Sequence, residues 1–170
     1  MVLTLIILAI KHGRSSEKSQ DLTNKQNKEN YTIMNNTDIT LEETIETLRN
    51  CNEYDYDYFG LPVFTIGGCE YAIASDEDEA NEACKEYIKE SVWAFNADFL
   101  ADYIESLDAD DINRLRGDSC ESCNDALLKL IDDFDTFADD AISADGVGHF
   151  LASYDGNCGK IGNFRLFRLN

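Results

Sequence analysis

The sequence predicts an α+β fold: an antiparallel sheet made from two hairpins, with four or five helices packed on one of its faces. Three observations carry this. Val63-Phe-Thr-Ile66 and Cys69-Glu-Tyr-Ala-Ile-Ala74 flank Gly67-Gly68, the pattern of two strands joined by a two-residue turn. The middle of the chain instead repeats apolar residues at three- and four-residue spacing, as helices do. A second strand-like region then follows residue 149. Strands and helices grouped in this way belong to α+β architectures, whereas regular alternation would point to a parallel sheet.

Taken in order, Thr40-Leu-Glu-Glu43 is a capping box, and Leu41, Ile45 and Leu48 give the helix after it (residues 41–49) one apolar face. Tyr54, Tyr56 and Tyr58 alternate with Asp55 and Asp57, which suits a strand or an acidic loop. After the first hairpin, Ser75 is the expected cap of a helix whose first turn, Asp76-Glu-Asp-Glu79, complements the positive end of the helix dipole. Ala80, Ala83, Cys84, Tyr87 and Ile88 are its expected buried side.

Asn96 caps a second segment with Leu100, Tyr103, Ile104 and Leu107 turned inward. Asp108 caps a third that is expected to stop at Gly117. One long helix is expected over residues 124–144, with Leu127, Leu130, Ile131, Phe134, Phe137, Ala138 and Ala141 as its core stripe. Asp145-Gly146 ends it. His149 to Tyr154 and Phe164 to Leu169 are the strands of the second hairpin, joined by the loop from Asp155 to Lys160. Trp93, Phe95 and Phe99 are assigned to the core.

Charge sets this chain apart. Of its 170 residues, 34 are acidic and 14 basic, a net of -20. Residues 1–33 hold five basic and three acidic residues, so the remainder carries nine basic against 31 acidic. Such a field attracts basic surfaces and repels nucleic acid and anionic membranes, so neither direct nucleic-acid binding nor a membrane is expected. The apolar start, Val2 to Ile10, has no basic residue before it and is shorter than the roughly 20 residues a bilayer needs. A cytoplasmic protein with reduced thiols is therefore the expectation.

Lys11 to Asn30 is polar and has no hydrophobic period. Residues 1–33 are read as a disordered or upstream extension, with Met34 as the natural start, and residues 34–170 as one acidic domain.

Possible chemistry is sparse. Cys120-Glu-Ser-Cys123 has the spacing of a zinc knuckle or a redox pair, and His149 and Cys158 are the residues that could complete a metal set. No second pair at that spacing exists, and acidic neighbours oppose thiolate formation, so no metal is expected. Asp145, His149 and Asp155 could serve acid–base chemistry, although Asp-Gly pairs are also what turns require. A metal-binding or hydrolytic module centred on them, with Cys120 and Cys123, is the alternative function, and a structural, oligomerising protein is another. Phosphate-loop, dinucleotide and nucleophile-elbow patterns are absent, so no cofactor or catalytic residue is assigned.

The acidic rows are the candidate site. Glu79, Glu82, Glu86 and Glu90 fall at three- and four-residue intervals on one helix side. Asp132, Asp135 and Asp139 form a second row, with Asp133 and Asp140 beside it. Like charges so spaced cost about 0.2–0.5 kcal/mol per pair. Rows of this kind can imitate duplex phosphates, at one charge per roughly 1.7 Å of axis. The expected partner is a basic protein surface, such as that of a nucleic-acid-binding enzyme.

Three segments carry a resemblance: Glu70-Tyr-Ala-Ile-Ala-Ser-Asp-Glu-Asp-Glu79, Trp93-Ala-Phe-Asn-Ala-Asp-Phe-Leu100 and Gly148-His-Phe-Leu-Ala-Ser-Tyr-Asp-Gly156. In these the chain resembles a group of small acidic proteins from tailed bacteriophages. The resemblance covers most of residues 60–170 and implies a viral product acting in a bacterial cytoplasm. It assigns no activity and so transfers no site residues. Intact-mass measurement of the native protein tests the assigned start: a species beginning at Met34 is expected, and one retaining residues 1–33 contradicts it.

Overall fold

The computed structural model describes residues 40–50 and 54–170. Met34 and the segment before it lie outside the described residues. Five strands form one sheet: β1 (Tyr56–Tyr58), β2 (Leu61–Ile66), β3 (Cys69–Ala74), β4 (Cys158–Ile161) and β5 (Phe164–Arg168). Their order is β1-β2-β3-β5-β4, and every neighbouring pair is antiparallel. Gly67 and Gly68 join β2 to β3 with φ of 62° and 84°, values that L side chains rarely adopt and that a primed two-residue turn requires. The α+β fold is thus present.

The helices are α1 (Leu41–Asn50), α2 (Glu77–Ser91), α3 (Ala97–Ala101), α4 (Ala109–Ser119), α5 (Asn124–Leu130), α6 (Phe134–Asp145) and α7 (Val147–Leu151). The predicted capping box starts α1: Thr40 Oγ1 accepts the Glu43 N–H at 3.2 Å, and the Glu43 carboxylate accepts the Thr40 N–H at 2.8 Å.

Alternation along the strands splits the apolar residues between two faces. Leu61, Val63, Ala72, Ala74 and Phe167 enter the main core with α2 and the helices after it. Phe64, Ile66, Ile73 and Leu166 form a smaller cluster on the other face, covered by Ile45, Leu41 and Leu48 of α1. The helices therefore occupy both faces, where one was expected. Within the main core Phe137 is fully buried, and the rings of Phe95, Phe99 and Tyr103 lie 5.0, 5.3 and 5.3 Å from it. Such aromatic pairs add about 0.5–1.5 kcal/mol each beyond the area they bury.

Five local readings are corrected. The single helix expected over residues 124–144 is two, because Ile131 turns extended (ψ 120°) and Asp133 caps α6 through the Thr136 N–H. The apolar spacing continues across this break, so periodicity alone does not reveal it; Leu130 is left 39% exposed. The region from His149 to Tyr154 is not a strand. Gly146, at φ 79°, ends α6 and starts α7, whose Phe150 and Leu151 are buried in the main core.

The strand that pairs with β5 is β4, within what reads as a loop, and Gly162-Asn163 makes the turn. The cap of α2 is Asp76, which accepts the Glu79 N–H at 2.8 Å, with Ser75 just outside. Helix α4 likewise passes Gly117 and ends at Ser119, with Cys120 as its C-cap.

The close fit of α7 supplies a test. A Cβ on Gly148 would lie 2.7 Å from the Cys158 nitrogen and 2.8 Å from the Gly156 oxygen, both backbone atoms. Gly148→Ala is expected to cost about 1–3 kcal/mol through overpacking. A thermal melt unchanged from wild type would show that α7 and the β4 approach are looser than described.

Candidate functional site: the acidic face of α2

Helix α2 carries its buried side on Ala80, Ala83, Cys84 and Ile88, which leaves Glu82, Glu86 and Glu90 exposed opposite. These glutamates rise along the axis by about 6 Å per four residues. Beside them runs the β1–β2 turn, where Asp57 Oδ1 accepts the Gly60 N–H at 2.9 Å. Together the turn and helix enclose an open groove of about 490 Å³ lined by Asp57, Tyr58, Phe59, Gly60, Glu86 and Glu90. A smaller hollow of about 240 Å³ continues it past Glu82.

The groove has an aromatic side. Phe59 packs on Tyr58 at 4.8 Å and on Tyr87 at 5.3 Å, with both pairs edge to face. Burial, aided by the neighbouring tyrosines, pushes the Tyr58 hydroxyl up to about 12, so it stays protonated. Of the three exposed glutamates, Glu86 is paired with Lys89 at 2.6 Å; both groups are solvated, so that bridge contributes little.

Glu79, the first member of the predicted row, is half-buried and engaged in the fold. Its carboxylate binds Arg49 of α1 at 2.8 Å and accepts the Ser75 N–H. Burial works to raise its pKa, but the bonds from Ser75 and Arg49 outweigh that, and the net shift is downward.

The second row is also largely engaged. Asp135 and Asp139 of α6 both hold Lys85 of α2, at 3.2 and 3.0 Å. Hydrogen bonding to Asp139 leads the rise of the Lys85 pKa. Asp140 accepts the Tyr103 hydroxyl at 2.5 Å, and that bond pushes the tyrosine up to about 12. Asp133 caps α6, and its bonds from Thr136 lower its pKa. Asp132 precedes the helix, where its N–H donates to the Tyr103 carbonyl at 3.2 Å. The two rows are thus brought side by side, but with Lys85 between them.

The other candidates stay apart. Among the described residues no three His, Cys, Asp or Glu side chains gather as a metal site would need. His149 lies exposed on α7, edge-on to Phe150. Asp145 is exposed at the end of α6, and Asp155 accepts the Asn157 N–H within its own turn. Cys158 is on β4, while Cys120 and Cys123 share a single 3-10 turn before α5. Burial pushes the Cys84 thiol up to about 12, which keeps it inert at neutral pH.

Sequence reasoning missed Asp57, Phe59 and Lys85. The Asp57-Tyr-Phe-Gly60 spacing is an Asx-type turn signal that could have placed the first two. Nothing local in the sequence ties Lys85 to residues 50 positions away.

Among the described residues no helix is long and apolar enough to cross a membrane. Compared with family models, curated proteins and solved structures, the chain matches none.

The Glu79–Arg49 pair makes stability depend on pH. A carboxylate whose folded pKa lies below its ordinary 4.5 contributes stability that is full above that value and lost as pH falls through the folded pKa. In acid titration followed by circular dichroism, Glu79→Gln is expected to be less stable than wild type at pH 7. The difference should shrink below about pH 4.5. A difference that is the same at pH 7 and pH 3 would overturn this assignment.

Proposed function

We propose that this chain is a non-enzymatic accessory protein that binds a basic protein surface through the exposed face of α2. The observation that carries the reading is the groove in which Glu82, Glu86, Glu90 and Asp57 remain open to solvent beside Phe59, in a chain of net charge -20. Acidic groups set around an aromatic wall suit the charged ends and apolar stems of Lys and Arg side chains. The surrounding negative field would draw such a partner in from about one Debye length, roughly 8–10 Å at physiological salt.

This face is smaller than the full set of acidic rows. Glu79 and Asp133 hold the fold together, and Asp135 and Asp139 share Lys85. One glutamate per about 6 Å is sparser than the 3.4 Å spacing of phosphates along a single DNA strand. A basic protein patch is therefore the partner favoured here. A narrower form of the proposal, resting on net charge and not on phosphate-like spacing, is that this patch is the nucleic-acid groove of a host or phage enzyme, met in a bacterial cytoplasm.

The test is capture from bacterial lysate on the immobilised full chain at low and high salt. Basic proteins should be retained at low salt, released steeply as salt rises, and lost with the triple variant Glu82→Gln, Glu86→Gln, Glu90→Gln. Release by added duplex DNA supports the nucleic-acid-groove form. Equal capture by the triple variant at every salt concentration would end the proposal.

A further inference from the structure

We propose that Cys120 and Cys123 form a redox site that reacts with a low-molecular-weight disulfide and closes an internal disulfide across one turn of 3-10 helix. The inference does not depend on the acidic face of α2. Three observations support it: the spacing of the pair, the unequal exposure of the two thiols, and a half-buried arginine near Cys123.

Geometry comes first. Both cysteines belong to the 3-10 turn Cys120–Cys123. Across a 3-10 turn, with a rise of about 2.0 Å per residue, the Cα atoms of residues three apart lie roughly 6 Å from one another. That lies within the 4.4–6.8 Å range of Cα separations that disulfides span. Cys123 Sγ is already turned back along the turn, donating to the Cys120 carbonyl at 2.8 Å. Cys120 itself sits at φ 48° and ψ -135°, a strained conformation for a residue with a side chain, imposed where α4 ends.

The two thiols are unequally placed, as an attacking and a resolving cysteine need to be. Cys120 is exposed and Cys123 is 3% exposed, and both are free. Behind them lies Arg116 of α4, whose guanidinium donates to the Phe95 carbonyl. Its buried Nε has no hydrogen-bond partner among the described residues. Burial lowers the Arg116 pKa, and negative charge on Cys123 acts against that shift. Arg116 thus places a positive charge near Cys123, and its buried Nε–H is an unused donor.

The exchange balances without any other reagent. The Cys120 thiol loses its proton to solvent, and the thiolate attacks one sulfur of the small disulfide. The disulfide bond breaks, and the departing thiolate takes up a proton. Cys123 then loses its proton, and its thiolate attacks the Cys120 sulfur of the mixed disulfide, which expels the second small thiol. Two protein thiols are oxidised to one disulfide, and the small disulfide is reduced to two thiols.

Closure would also reach α2. Asn124, the next residue, accepts the Trp93 N–H at 3.0 Å and donates to the Lys89 carbonyl at 2.7 Å. The turn that the disulfide would clamp is the one that holds the C-terminal end of that helix.

The probe is oxidised glutathione on the full chain, followed by alkylation and tryptic mapping. Cleavage after Arg116 and Lys129 leaves both cysteines in one peptide. That peptide is expected unalkylated and lighter by two hydrogen atoms, while Cys69, Cys84 and Cys158 are alkylated. Two alkyl groups on it, or a lasting glutathione adduct at Cys120, would overturn the proposal. In Cys123→Ser the adduct should persist at Cys120, and in Cys120→Ser, altered only at an exposed site, Cys123 should stay unreacted; the opposite result in either variant counts against it. Arg116→Gln, checked for folding by circular dichroism, should slow closure about tenfold while first-adduct formation at Cys120 is unchanged. An unchanged closure rate would remove Arg116 from the site.

Discussion

Helix α2 is held from three sides by cations, and the rest of the structure is arranged about it. Arg49 reaches Glu79 from α1, Arg165 reaches Glu77 from β5, and Lys85 crosses to Asp135 and Asp139 on α6. These are the ion pairs between elements among the described residues. A chain with nine basic residues after position 33 places three of them where they draw acidic elements together. Each pair taken alone is partly solvated and worth little. Their effect is positional: they decide which carboxylates face inward and which are left to solvent.

That division shapes the functional reading. The same helix presents Ala80, Ala83, Cys84 and Ile88 to the core and Glu82, Glu86 and Glu90 to the groove beside Phe59. Its inner face depends on apolar burial, which salt does not weaken, and its outer face on exposed charge, which salt screens. Binding of the proposed basic partner would therefore be lost at high ionic strength without unfolding the domain. This is the property expected of a surface that acts through charge.

Much of the fold was legible because its signals are local. The Thr40–Glu43 capping box, the Gly67-Gly68 turn and the caps Asn96 and Asp108 each lie within a few residues of what they specify. Where tertiary contact decides, the sequence misleads. Leu127, Ile131, Phe134, Phe137 and Ala141 keep helical spacing across the break at Ile131–Asp133, so the Asp133–Thr136 cap is hidden inside a continuous stripe. The apolar run around Phe150 suits strand or helix, and burial in the main core beside Gly146 selects helix. The same distinction governs the site. Exposure of Glu82, Glu86 and Glu90 follows from their spacing to Ala80 and Cys84, whereas the capture of Glu79 by Arg49 spans 30 residues and has no local trace.

The strand order has a consequence for how the domain is made. Strand β5 lies between β3 and β4, so the two halves of the sheet meet only through it. During synthesis β1, β2 and β3 emerge early, and β3 must wait with one edge unpaired until residues 164–168 have left the ribosome. A chain grows at about 5–20 residues per second, so the roughly 90 residues between β3 and β5 would leave that edge open for some 5–20 seconds. Throughout that interval an apolar strand edge is available to other chains. The dense negative charge on the α2 segment emerging next to it would hold neighbouring copies apart until the sheet closes.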